Sequence, residues 1–162
     1  MSDAQVLIPR ELLKLWLNFG DATPLAPSVR RYMEGRFKTD LGEVRIHVGA
    51  VAARLCDTLK ARALTLGNDI LFADGEYEPV SAEGRWLLAH ELVHVLQQRA
   101  ARANTYAYRV PADFVPVGDE DDACEREADL LAAEVIDGGL RSVVTPDRTG
   151  AIRGARRCLA AS

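Results

Sequence analysis

The pattern that most constrains this chain is His90-Glu91-Leu92-Val93-His94, set inside the run Leu87 to Gln98, LLAHELVHVLQQ. Two imidazoles four residues apart stand one turn apart on one face of a helix, so both can aim a ring nitrogen at one point. On a wheel of about 100° per residue, His90, Glu91, His94, Gln97 and Gln98 share one third, and Leu88, Ala89, Leu92, Val95 and Leu96 lie opposite. The expectation is a helix with a polar, chemical face that packs through its apolar back. Ser81 is its predicted N-cap, and Glu83 in the first turn suits the helix dipole. The H-E-x-x-H spacing reads as a zinc site: His90 and His94 as ligands, Glu91 as a general base beside the metal's water.

A catalytic zinc takes three protein ligands and keeps one position open. The third is expected from another element facing this helix. Glu125 is the candidate, in the run Glu125-Arg126-Glu127-Ala128-Asp129, with Glu127 as the fallback. On a helix Glu125 and Asp129 share a face. Asp129 can then accept the free N–H of a ligand histidine and fix its tautomer. The competing reading is an ordinary solvated acidic helix. Donors for a developing oxyanion are needed as well. His47, Tyr106, Tyr108 and Arg109 are the candidates, and the sequence does not choose among them. For His47 and the two tyrosines, structural hydrogen bonding and packing are the competing roles.

The rest of the chain reads as alternating helices and short strands. Leu12, Leu13, Leu15, Trp16 and Phe19 form an apolar stripe that Gly20 ends, and a second helix covers Ser28 to Phe37. Val44 to Val48 alternates as a strand, Val51 to Ala63 is helical, and Ala63–Leu66 with Ile70–Ala73 form a hairpin around Gly67-Asn68-Asp69. The strand Ile70–Ala73 is a candidate edge for an extended substrate. Residues 103–118 read as irregular. A helix starts within the acidic run 119–122 and stops at Gly138-Gly139. Beyond Leu140, five arginines stand against one aspartate, and this tail is expected to be solvated and weakly ordered.

The bulk numbers exclude several classes. At 162 residues and 48% hydrophobic, the chain can build one real core. A net charge of −4 with no lysine-rich patch argues against nucleic acid as a partner. The apolar runs are too short to span a membrane. The N-terminus lacks a basic region, and Pro9, Arg10, Glu11 and Lys14 interrupt any signal-peptide core, so synthesis in the cytoplasm without a Sec-type address is expected. Cys56, Cys124 and Cys158 are widely spaced and read as reduced thiols.

The stretch VRIHVGAVAARL…ARALTLGNDILFADGEYEPVSAEGRWLLAHELVHVLQQ closely resembles a bacterial zincin-like domain family of unknown function. That family occurs in polymorphic toxins and beside extracellular contractile injection systems, which are phage-tail-like particles. The resemblance covers about residues 25–100. Its members look like zinc metallopeptidases of the gluzincin type. The resemblance implies an α+β zincin-like fold, with a short mixed sheet packed on the H-E-x-x-H helix and a second helix bringing a zinc ligand. It implies His90 and His94 as Zn2+ ligands and Glu91 as base. Similarity to gluzincins in general gives Glu125 as third ligand and Asp129 as its supporting partner. Some gluzincins carry asparagine where Cys124 stands here, so no role transfers to that position. The expected organisation is an N-terminal helix and linker (1–27), a zincin-like domain (28–139) and an Arg-rich tail (140–162). Toxin-type relatives place the domain ahead of an effector, so this chain looks like a stand-alone version. The implied activity is a zinc endopeptidase acting on a polypeptide substrate: an injection-system or toxin component, or the chain itself. Carriage out of the cell by an injection system is part of that picture. The alternative is a non-catalytic docking or loading module for a secreted particle or toxin.

Overall fold

Short apolar strands cannot stand alone, so they must be stacked against helices to bury one face. The computed structural model describes residues 7–19, 22–102, 114–116, 123–147 and 153–154, and these fold as a mixed α+β structure. In chain order the elements are β1 (Leu7–Pro9), α1 (Arg10–Phe19), β2 (Ala22–Pro24), α2 (Pro27–Phe37), β3 (Arg45–His47), α3 (Ala50–Thr58), β4 (Ala63–Leu66), β5 (Asp69–Phe72), α4 (Ala82–Arg102), β6 (Phe114–Pro116) and α5 (Ala123–Ile136). Four strands form a small mixed sheet in the order β2-β3-β5-β4, with β3 and β5 parallel and the other pairs antiparallel. A separate antiparallel pair joins β1 to β6. The β1, β2 and β6 strands have no counterpart in the sequence reading. Each is three residues long and carries a proline, so neither hydrophobic alternation nor strand propensity marks it.

The two faces of the sheet do different work. Ile46, Ile70, Ala63 and Phe72 join a core with Leu87, Leu88 and Leu92 of α4 and Ala128, Leu131 and Val135 of α5. Leu64, Leu71 and Ala73 face the other way, against Ala52, Leu55 and Cys56 of α3 and Leu13 of α1. Leu87, Leu88 and Leu92 are all fully buried, each worth about 1.5–3 kcal/mol of hydrophobic stabilisation.

Besides shifts of one or two residues at other element ends, two features differ from the sequence reading. The helix expected to run from Val51 to Ala63 stops at Thr58. Lys60 turns left-handed (φ 53°), the Lys60 N–H donates to Asp57 O, and the Ala61 N–H donates to Cys56 O. These bonds close the last turn, and Ala61 and Arg62 lead from it into β4. The expected edge strand is the second correction: β5 lies between β3 and β4, and the outer strand on that side is β4. The hairpin turn is Gly67-Asn68, with φ +64° at Gly67 alone, as a two-residue loop with glycine first requires.

The helix α4 is also more deeply set than its wheel suggests. Its apolar back is buried as expected, but so is its polar face: His90, Glu91, His94, Gln97 and Gln98 are at most 2% exposed. The sheet covers one side and α5 the other. Ser81 caps the helix through Gly84 N–H to Ser81 Oγ (3.0 Å). The Arg36 guanidinium of α2 donates to the Val135 and Ile136 carbonyls at the C-terminus of α5, which fixes where α5 ends. Among the described residues neither Cys56 nor Cys124 is in a disulfide; Cys158 lies outside the described residues.

Candidate metal centre

Helical spacing sets His90 and His94 on one side of α4, with their rings edge to face and 4.8 Å between centroids. The α5 helix delivers Glu125 against both. Glu125 Oε2 lies 3.0 Å from His90 Nε2 and 3.1 Å from His94 Nε2, and the two Nε2 atoms are 3.1 Å apart. All three residues are buried. The packing of α4 on α5 through Leu131, Ala132 and Val135 holds this triangle closed.

The far sides of the rings determine what the triangle can do. His94 Nδ1 is 2.7 Å from Gln97 Oε1. The Gln97 amide donates its Nε2 to Cys124 O (3.1 Å) and Glu127 Oε2 (2.7 Å), both acceptors, so its oxygen must face His94. His94 therefore carries its proton on Nδ1 and presents a lone pair at Nε2. Asp129 Oδ1 lies 3.0 Å from His90 Nδ1, which likewise favours a proton there. The alignment falls short of a formed hydrogen bond, leaving His90 Nδ1 buried without one. Asp129 keeps 60% of its side chain exposed, at the solvent side of the group.

Three lone-pair donors thus converge to within 3.0–3.1 Å of one another. A positive centre, either a shared proton or a cation, stabilises such a cluster. The surrounding charges favour a proton on His90. Burial lowers the His90 pKa, but the Asp129 and Glu125 carboxylates and the charge of Glu91 outweigh it and carry it to about 10. Burial likewise raises the Glu125 pKa, and the contacts with His90 and His94 outweigh it and hold the carboxyl below the ordinary carboxylate range. A divalent cation fits the same demand. Tetrahedral coordination with bonds of about 2.0–2.1 Å needs donor atoms roughly 3.3 Å apart, a few tenths more than seen here. Two imidazoles and a carboxylate are a donor set that zinc accepts. The His90–His94–Glu125 group can therefore hold a metal ion.

Glu91 follows His90 on α4 and is fully buried. Its Oε2 accepts a 2.6 Å hydrogen bond from Thr65 Oγ1 of β4, and its main-chain carbonyl accepts a longer one (3.3 Å) from the same hydroxyl. A buried carboxylate in a core costs several kcal/mol unless it is bonded, and Thr65 supplies one such bond. Thr65 also shows why β4 lies across α4: Gln98 Nε2 donates to Thr65 O (3.4 Å), and Gly67 N–H donates to Gln98 Oε1 (2.5 Å).

The other candidates lie elsewhere. His47 pairs with Leu71 across β3 and β5, so it faces α3 rather than α4, and its Nε2 is 2.7 Å from Asp69 Oδ1. Strand alternation thus turns it away from the metal centre. Glu127 points to Gln97 and to the Thr145 N–H (3.1 Å), not to the histidine pair. Tyr106, Tyr108 and Arg109 lie outside the described residues. Two contributors escaped the sequence reading. Gln97 carries a usable signal, three residues after His94 on the same face. Thr65 carries only a weak one, a hydroxyl inside the apolar run Ala63–Leu66. Replacing Gln97 with Leu is expected to lower metal affinity about 10–100-fold, because His94 loses the acceptor that sets its tautomer. A competition titration with a chromophoric chelator measures this, and unchanged affinity removes Gln97 from the centre.

No curated protein and no solved structure matches this chain. Among the described residues no helix is long and apolar enough to cross a membrane. Residues 24–102 match the model of the eCIS core domain, a span that includes Thr65, His90, Glu91, His94 and Gln97 and stops short of Glu125. This match, over just under half of the chain, associates it with extracellular contractile injection systems.

Proposed function

We propose that this chain is a zinc-dependent endopeptidase of zincin-like, gluzincin type that works with a contractile injection system. The observation that carries this reading is the buried meeting of His90 Nε2, His94 Nε2 and Glu125 Oε2, with the carboxylate of Glu91 one residue along α4. A purely structural site has no use for that fourth, acidic group. His90, His94 and Glu125 would hold a zinc ion, which would supply Lewis acidity toward a water and a peptide carbonyl. The protein residues do the rest. Glu91 takes the proton of the attacking water and returns it to the leaving amine. Thr65 Oγ1 holds the Glu91 carboxylate in place, Gln97 orients His94, and Asp129 orients His90. The substrate is a polypeptide, either a component of the injection system or an associated toxin, or the chain itself. The eCIS core match supports that choice and supports export by such a system.

The test is elemental analysis of the purified chain together with a peptide-library cleavage assay. The expected result is about one zinc per chain and cleavage that a chelator abolishes and added zinc restores. Metal-bound protein that cleaves no peptide would leave the docking module as the better reading.

A further inference from the structure

Hydrolysis needs a path to the centre for water and for a polypeptide, yet the centre is closed. His90, Glu91 and His94 are at most 2% exposed, and Glu125 is 6% exposed. Two residues that help close it belong to the chain's own segment beyond α5. Arg153 pairs with Thr65 on the outer side of β4. The Thr65 N–H donates to Arg153 O (2.5 Å), and the Arg153 N–H donates to Thr65 O (3.0 Å). That reciprocal pair is one rung of an antiparallel ladder, the way an extended peptide adds to a sheet edge. The next residue, Gly154, donates its N–H to Glu125 Oε1 at 3.1 Å. The other oxygen of that carboxylate faces both imidazoles. One dipeptide therefore reaches from the strand that holds the base to the third ligand of the metal group.

The seat is built for this dipeptide. Gly154 has φ +155°, and a Cβ there would fall 2.0 Å from Ala63 O and 2.8 Å from Leu64 Cα, so only glycine passes this close to β4. The Arg153 side chain is 2% exposed and Asp147 is 1% exposed; they pair at 2.8 Å (Nε to Oδ2). The Asp147 N–H in turn donates to Gln97 O of α4 (2.9 Å). The expected solvated, weakly ordered tail thus contributes a buried ion pair and an added strand residue. A buried pair offsets its desolvation only while both charges are in place, so Asp147 and Arg153 hold this seat together.

We propose that Arg153 and Gly154 occupy in cis the edge of β4 where a substrate polypeptide lies, so that these two residues keep the metal centre closed until they are displaced. This rests on the peptidase reading of the same site. It also names the substrate class: an extended chain running antiparallel to β4, with glycine at the residue that meets Glu125.

The test uses the full, metal-loaded chain carrying Glu91→Gln to prevent turnover. The probe is a fluorescein-labelled peptide of this chain's residues 147–157, followed by anisotropy. Gly154→Ala pushes a methyl group into β4 and is expected to raise affinity for the probe about tenfold or more, because it increases the fraction of open sites. The Asp147→Ala/Arg153→Ala double variant removes both buried charges and is expected to do the same without added bulk. A melting curve confirms that each variant folds. In the unaltered chain, the Thr65 amide faces Arg153 while the Leu64 amide faces β5. Thr65 is expected to exchange its hydrogen about tenfold or more faster than Leu64, through release of the segment alone. Folded variants with no gain in probe binding overturn the proposal, as does a Thr65 amide protected equally with Leu64. If the variants bind the probe but the same substitutions with Glu91 intact cleave nothing, the peptidase reading fails and the occupancy stands.

Discussion

Peptide cleavage by Glu91→Gln is expected to fall about 10²–10⁴-fold, the usual contribution of a positioned general acid–base, while metal content stays unchanged. The substitution keeps the shape and the hydrogen-bonding oxygen. Thr65 Oγ1, 2.6 Å from Glu91 Oε2, can still donate to the oxygen of the new amide, so local packing survives. What is lost is the basic site. Glutamine cannot take a proton from water at neutral pH, nor return one to a leaving amine. Glu91 does not belong to the triangle of ligand atoms, so zinc should remain at the parent stoichiometry. Two assays decide it: cleavage of the best library peptide, and elemental analysis of the same preparation. A variant that keeps most of its activity removes Glu91 from the base role. A variant that loses metal as well shows that Glu91 supports the site itself.

Glu125→Ala is the second large effect. It is expected to leave the dialysed chain with almost no bound metal. The two histidines alone form an incomplete set, because a zinc site normally takes at least three protein ligands. The loss should exceed the roughly 10–100-fold typical of supporting residues and hence the effect of Gln97→Leu. Glu127→Ala is the control. That carboxylate sits two residues along α5, but it binds Gln97 Nε2 and the Thr145 N–H. Its removal should weaken metal binding only through the Gln97 orientation. If the two variants exchange these behaviours, the third ligand is Glu127, and the helix α5 must rotate to present it. Glu125→Ala also takes the acceptor from the Gly154 N–H. Faster exchange at that amide in the variant would report the same contact independently.

What could be read from the chain followed the range of the forces involved. The i,i+4 spacing of His90 and His94 is local, so a helix alone aligns them. Ser81 as a cap and the Gly67-Asn68 turn are equally local, and both appear where turn and cap chemistry place them. The small strands β1, β2 and β6 carry no such mark, since three residues with a proline make no pattern. The end of α3 depended on Lys60 adopting a left-handed conformation that glycine would have signalled and lysine does not. His47 looked chemical in sequence because a histidine in a strand has two faces to choose from. The sheet turned it toward α3 and Asp69.

The chain by itself determined a helix bearing two aligned imidazoles and an adjacent carboxylate, because those relations span a single turn and follow from backbone periodicity. Tertiary structure decided that Glu125 meets the two histidines, which strand lies outermost in the sheet, and that Arg153 and Gly154 sit against β4 and Glu125. Those relations join residues dozens of positions apart. They exist only once the apolar face shared by α4, α5 and the sheet has been buried, and no local pattern records where that burial brings the chain together.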